Sequence, residues 1–380
     1  MGASRLADST AAGLEATRAA LTHDDPQLVI VFASSSYQLD SLVAGVASLT
    51  PGVAMIGCST AGEISSAFAG GQGVVVSVLG GSGFSVSTSV TPSVSHDLRL
   101  AGASAARVCA TTPMRAHNVL LLLSDGLAGN QQDVVRGVYS EVGSTVPLVG
   151  GCAGDDGAMV RTHQICDGRV LEDSIVSAAI GSDAPIGIGV RHGWQPVGEA
   201  MLVTRSTDTE VSELDGEPAL DVYLRHLGRA DLLEDGAALT AFASTHPLGL
   251  QRRACEEVRF VSGCDVDRRA LRLIAEVPEG SWVWLMEGNA ETVLRGTVDS
   301  CESAIGQLGG NAPIGALLFD CIARRSVLDG AGRMGQGELS AMRSVLGETP
   351  VAGFYTYGEF ARTHGVRGFH NQTLVSLAFA

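Results

Sequence analysis

Gly353-Phe354-Tyr355-Thr356-Tyr357-Gly358-Glu359-Phe360 reads as a buried strand that stops at a Gly-Glu turn. Strand residues alternate sides, so Tyr355 and Tyr357 share a face, and the glycine lets backbone come close to a guest. The same spacing closes an apolar run far upstream, in Gly57-Cys58-Ser59-Thr60-Ala61-Gly62-Glu63. A looser copy, Gly150-Gly151-Cys152-Ala153-Gly154-Asp155-Asp156, keeps the glycines and the terminal acid but loses the threonine. Three similar strand ends predict one site, or a set of related sites, assembled from distant segments.

Working outward, a strand over 28–33, the polar Ser34-Ser35-Ser36, an amphipathic helix over about 38–49 and a strand over 53–56 lead into the first copy. Runs at 74–79 and 84–90, separated by Gly80-Gly81-Ser82-Gly83, read as a hairpin. The order then recurs: a helix near 95–110, a strand over 118–123 ending in Ser124-Asp125-Gly126, a helix over about 130–142, and the strand that enters Gly150-Gly151. A second hairpin pairs 159–166 with 170–180 around Asp167-Gly168. The C-terminal half has strands at 258–263, 270–276, 282–286 and 316–324, helices over about 290–308 and 336–346, and a last strand over 371–379. The prediction is an α/β protein: two domains of mixed β-sheets with crossover helices and internally repeated strand-helix-strand-hairpin units. Glu217-Pro218 opening a helix places the boundary near 200–235, giving domains 28–225 and 226–380.

A length of 380 residues suits two domains. With 25 arginines against 41 acids the net charge of −16 disfavours nucleic acid and anionic membrane as partners of the bulk surface. The absence of lysine excludes Schiff-base, pyridoxal-phosphate and P-loop chemistry that needs one. Eight cysteines without a Cys-x-x-Cys pair read as reduced thiols and not as a disulfide or zinc framework. No run of ~18 apolar residues and no signal-like leader point to a cytoplasmic protein with no membrane insertion.

These landmarks resemble the FIST sensory family over nearly the whole chain. The N-terminal half is similar to FIST N through the two upstream glycine motifs, His192-Gly193-Trp194-Gln195-Pro196 and Asp215-Gly216-Glu217-Pro218-Ala219. The C-terminal half is similar to FIST C through Leu318-Phe319-Asp320-Cys321-Ile322-Ala323-Arg324, the Gly353–Glu359 stretch and His370-Asn371-Gln372-Thr373-Leu374. The resemblance implies a small-molecule sensor, with amino acids among the proposed ligands. It also implies that some members bind haem, sense nitric oxide and act on a partner histidine kinase. No kinase, cyclase or methyl-accepting region accompanies the motifs, so output is expected to pass through a separate partner.

The first strand end offers Cys58, Ser59, Thr60 and Glu63 to a ligand, and the second offers Ser124, Asp125, Cys152 and Asp155. The C-terminal ends add Cys321, Arg324, Tyr355, Tyr357 and Glu359, with His370 and Asn371 nearby in sequence. Glu63, Asp155 and Glu359 can hold an ammonium group, or cap helices and pair with arginines. Arg324 can hold a carboxylate in bidentate fashion, which with an acid would suit a zwitterion; the alternative is a salt bridge to Glu359. Cys58, Cys152 and Cys321 are core thiols or, in a weaker reading, nucleophiles of a cysteine-dependent enzyme. No local signature supplies the histidine such chemistry needs, so a non-enzymatic role is expected. For haem, the axial candidates are His192, His370, His246 and His364.

Overall fold

The computed structural model describes residues 1–234, 236–243, 245–251, 256–332, 335–362 and 368–380. It is a mixed α/β protein, 29% helix and 39% strand. The chain opens with β1 (Gly2–Ser4), α1 (Ser9–Ala20), β2 (Pro26–Ser34), α2 (Leu39–Leu49), β3 (Ala54–Thr60), β4 (Glu63–Ser65) and β5 (Val74–Gly80). It continues with β6 (Phe84–Pro92), α3 (Leu98–Ala106), β7 (His117–Ser124), α4 (Gln131–Val142), β8 (Leu148–Cys152), β9 (Gln164–Cys166), β10 (Arg169–Leu171), β11 (Ser174–Ser182) and β12 (Ile186–Arg191). An inserted segment follows: β13 (Gln195–Thr207), β14 (Glu210–Leu214), α5 (Ala219–Leu227), β15 (Leu248–Gln251), β16 (Glu256–Arg259), β17 (Val261–Asp265), β18 (Ala270–Leu273) and β19 (Trp282–Glu287). The last stretch is α6 (Ala290–Gly306), β20 (Gly315–Cys321), α7 (Ile322–Gly330), α8 (Gln336–Leu346), β21 (Val351–Thr356), β22 (Glu359–Arg362), β23 (Phe369–His370) and β24 (Leu374–Phe379).

Three sheets share one connection pattern. Parallel pairs β2/β3, β7/β8 and β20/β21 form their centres, and β5, β11 and β24 return antiparallel beside the first strand of each pair. The short strand after each glycine turn leaves for a neighbouring sheet: β4 pairs with β21, β9 with β3, and β22 with β8. Each sheet therefore borrows a strand from another, in a closed cycle.

The central strands are apolar throughout because both faces are covered. In β2, Val29, Val31 and Ala33 pack with Leu39, Leu42, Val43 and Val46 of α2, whose i, i+3, i+4, i+7 spacing forms one apolar stripe. The alternate residues Leu28, Ile30 and Phe32 enter a core shared with Val119, Leu121, Leu317, Phe319 and Phe354 from the other two sheets. Phe32 packs on Phe354 with the rings tilted by 35° and centroids 4.7 Å apart, and Phe319 meets Phe354 edge-on at 5.8 Å.

The inserted segment has its own eight-stranded sheet, made of β13–β19 and the short strand Glu217–Pro218 beside β14, and its own core, including Val203, Leu214, Tyr223, Leu271 and Leu285. It is fastened to the three-sheet body by Trp194, which packs with Val258, Met286 and Val327 of α7 and donates through Nε1 to the Gln372 carbonyl at 3.0 Å.

Three local expectations are corrected. The 74–79 and 84–90 runs form no hairpin: β5 lies beside β2, whereas β6 pairs with β11 in another sheet. Of the second hairpin only Gln164–Leu171 forms, turning at Asp167 (φ 46°) and Gly168 (φ 80°), and β11 departs to β6 and β7. The 316–324 strand stops at Cys321, which is the extended N-cap of α7, so Arg324 is helical.

Phe354→Ala should cost about 3–5 kcal/mol in denaturant unfolding, since it empties the point where the three sheets meet. Leu100→Ala on the exposed face of α3 should stay within about 0.5 kcal/mol.

Candidate functional site

The two Thr-x-Gly-Glu copies adopt the same hydrogen-bonded turn. Thr60 Oγ1 accepts from the Gly62 N–H at 3.2 Å and donates to Glu63 Oε1 at 2.5 Å. Thr356 Oγ1 likewise accepts from the Gly358 N–H at 3.2 Å and donates to Glu359 Oε1. The turns interlock through backbone: Ala61 donates to the Tyr355 carbonyl at 2.9 Å, Cys152 to that of Gly358 at 2.7 Å, and Gly154 to that of Ser59 at 3.0 Å. A Cβ on Gly154 would lie 2.8 Å from the Ala61 nitrogen, and Gly358 (φ 154°) would bring one within 2.6 Å of the Phe369 ring. Glycine is therefore a packing requirement at these crossings.

Both glutamates are fully buried, and burial raises the carboxyl of each well above its ordinary pKa. Burial therefore drives both toward the neutral form, and each bonds within its own turn. Asp155, in the third copy, differs. Burial alone would raise its pKa, but the Tyr357 hydroxyl and the backbone N–H groups of Arg161, Val160 and Met159 hold it below the ordinary value.

Arg324 faces protein on every nitrogen. Nε donates to Asp320 Oδ1 at 2.5 Å, one terminal nitrogen to the His192 carbonyl at 2.6 Å, and the other to Thr297 Oγ1 at 2.8 Å and the Val293 carbonyl at 3.2 Å. Its ion pair is with Asp320, not Glu359, and both members are fully buried. Glu338 joins this group, receiving the Tyr355 hydroxyl; burial, then the neighbouring Asp320, raise its carboxyl pKa well above the ordinary value. The expected clamp of Arg324 with Glu359 on a zwitterion is therefore not formed by these side chains.

A cavity of about 620 Å³ lies between the three-sheet body and the inserted sheet. From the body it takes Gly126, Leu127, Asn130, Gln131, Met159, Tyr357, Phe369 and the first turn of α7. From the inserted sheet it takes Asp208, Thr209, Phe260, Leu273 and Ile274. Of the side chains singled out in the sequence, Cys321 and Tyr357 border it. Ser124 stands behind it, donating to Gln131 Oε1 at 2.8 Å, and Asp125 holds the rim by accepting from the Leu127 N–H and the Thr162 hydroxyl, each at 2.8 Å. Ser59 accepts from the His163 N–H at 2.8 Å, and Asn371 Nδ2 donates to the His370 carbonyl at 2.8 Å, so these two act within the body. The inserted-sheet wall carried no motif; only the turn Thr207-Asp208-Thr209 was a sequence signal for it.

The N-terminus of α7 lines the cavity. No side-chain hydrogen bond caps this helix, whose N-cap is Cys321. Burial, then Glu359, hold the Cys321 thiol well above its ordinary pKa, and burial does the same for Cys58 and Cys152.

Among the described residues, no histidine borders this cavity. His192 borders another, of about 630 Å³, lined by Arg191, Glu291, Arg295 and Asp299. Its Nδ1 accepts from the Trp194 N–H at 3.0 Å, and burial, with Arg324 beside it, takes its pKa down to about 4. His370 Nε2 is 3.0 Å from the Ala361 carbonyl, and His246 Nδ1 lies between Thr245 Oγ1 and the Phe242 carbonyl while its ring stacks on Phe242. His364 lies outside the described residues. An axial haem ligand needs an imidazole facing an apolar cavity, and the described candidates do not fit that need.

Arg324→Ala should destabilise the fold by about 3–5 kcal/mol in chemical unfolding, because Asp320 would be left buried and uncompensated. Glu63 has a raised pKa in the folded state, so its contribution is fully present below its unfolded pKa and is lost as pH rises through the folded value. Glu63→Gln mimics the neutral acid at every pH. Its melting temperature should gain on the wild type as pH rises from about 5 to 8; a constant gap would show that Glu63 ionises normally.

Residues 27–217 match the FIST N domain and residues 219–362 match the FIST C domain. The uncharacterized protein Rv0628c of Mycobacterium tuberculosis is 26% identical over 385 residues, covering 98% of this chain and 97% of the relative. The uncharacterized protein MJ1623 of Methanocaldococcus jannaschii is 28% identical over 170 residues, 42% of this chain, and the match spans only 33% of that relative. Among the described residues, no helix is long and apolar enough to cross a membrane. The chain belongs to the FIST family, whose domains are sensory domains in signal transduction.

Proposed function

We propose that the chain is a non-enzymatic sensor of a small molecule bound in the cavity between the three-sheet body and the inserted sheet. The observation that carries this reading is the cavity's composition. Both walls carry apolar side chains, Leu127, Met159 and Phe369 from the body and Phe260 and Ile274 from the inserted sheet, and the α7 N-terminus lines the cavity as well. Such a site suits a ligand with an apolar body and a carboxylate end, because the dipole at a helix N-terminus favours negative charge. Asp208 on the rim can receive an ammonium group. An amino acid with a large apolar side chain meets all three features, with the helix terminus in the place foreseen for Arg324 and Asp208 in the place foreseen for Glu359.

The thiols support a role without nucleophilic catalysis, since Cys58, Cys152 and Cys321 are all disfavoured as thiolates. Occupancy would shift the balance between arrangements of the body and the inserted sheet, and a separate signalling protein would read the result.

A thermal-shift screen of the common amino acids tests the reading. Leucine, methionine or phenylalanine should raise the melting temperature, and both Phe260→Ala and Ile274→Trp should remove the effect without lowering the unliganded melting temperature by more than a few degrees. No stabilisation by any amino acid, or stabilisation untouched by both substitutions, would overturn it.

A further inference from the structure

Tyr357 belongs to two structures at once. Its ring is cavity wall, and its hydroxyl is the anchor of the surface loop 155–162. The oxygen accepts from the Asp155 N–H at 3.2 Å and the Gly157 N–H at 2.9 Å, and it donates to Asp155 Oδ1. The Asp155 carboxylate in turn collects the N–H groups of Met159, Val160 and Arg161 at 2.7–2.8 Å. All of these bonds meet at one phenol and one carboxylate.

The loop they shape does not follow local backbone preference. Asp156 and Met159 sit at φ 56° and 54°, values that non-glycine residues rarely adopt. Neither is the loop shaped by burial of its apolar side chains, for Met159 is 55% and Val160 79% exposed. Its conformation is held by hydrogen bonds, and Tyr357 is the member of that set whose ring a cavity ligand would touch. The loop also reaches the cavity directly, for Met159 is one of its lining residues. At its other margin the loop is tied to the body, because Asp156 Oδ2 accepts from Ser34 Oγ at 2.7 Å and Ser35 Oγ at 2.8 Å.

We infer that Tyr357 is the positioning residue through which occupancy of the cavity reaches the surface, by setting whether Asp155 holds the Met159-Val160 loop in place. The inference rests on the cavity being the ligand site. A ligand that displaces the ring takes the hydroxyl out of reach of Asp155, and the strained segment relaxes. A ligand that packs against the ring without moving it tightens the loop instead. In both cases the exposed apolar pair changes its presentation.

Hydrogen exchange of the full chain, followed by mass spectrometry, tests this without a known ligand. Tyr357→Phe keeps the ring and removes the hydroxyl. Exchange in 156–161 should become on the order of tenfold faster, while α7, β21 and the melting temperature stay as in the wild type. Ile274→Trp enters the cavity from the opposite wall and stands in for an occupant. It should change exchange in 156–161 when the hydroxyl is present, and this change should vanish in the Tyr357→Phe background. Wild-type protection of the loop in Tyr357→Phe, or an Ile274→Trp effect of equal size in both backgrounds, would overturn the coupling. Failure of the amino-acid thermal-shift screen would count against the ligand reading, whereas these exchange results bear on the coupling alone.

Discussion

The backbone hydrogen bonds that join each glycine turn to a neighbouring sheet are the constraint on which the molecule depends. A strand end that left its sheet without a new partner would bury unpaired N–H and C=O groups. Here β4, β9 and β22 each find that partner in a different sheet, so the three sheets close on one another. The glycines allow the backbones to cross, and the shared core of Phe32, Phe319 and Phe354 fills the space this closure creates. Neither the turns nor the core can be had alone.

The same closure accounts for the buried polar groups. Glu63 and Glu359 lie where chains cross, out of reach of water, so burial drives them toward the neutral form and the adjacent threonine supplies a hydrogen bond. Arg324 is buried as well, but it ties together the chain just before and just after the inserted segment, through the carbonyls of His192 and Val293. Charge in the interior therefore serves attachment. What is left for a guest is the seam beyond these contacts, where the first turn of α7 and the apolar wall of the inserted sheet face each other.

The local turn was readable in advance because Thr, Gly and Glu at fixed spacing decide their own hydrogen bonds, whatever sheet they end in. The central strands were readable for a similar reason, as uninterrupted apolar runs imply two covered faces. The partner of β6 was not. Alternation in Phe84–Pro92 marks a strand, and the glycines before it permit either a tight hairpin or a departure to another sheet. Arg324 was placed on a strand because Leu317–Cys321 runs on into Ile322-Ala323 without a polar break, yet the backbone enters a helix at Cys321. The apolar part of the inserted-sheet wall comes from Phe260, Leu273 and Ile274, residues that in sequence look like any other apolar strand positions.

The sequence by itself determined the α/β character, the glycine-acid turns, the family and the absence of lysine chemistry. These follow from residue type and short-range spacing, which act within a few bonds. Only the tertiary structure decided which sheet each strand joins, that Arg324 answers Asp320 rather than a ligand, and that the cavity lies against the inserted sheet. Those outcomes depend on which surfaces meet across hundreds of residues, and burial there selects a partner that no local pattern records.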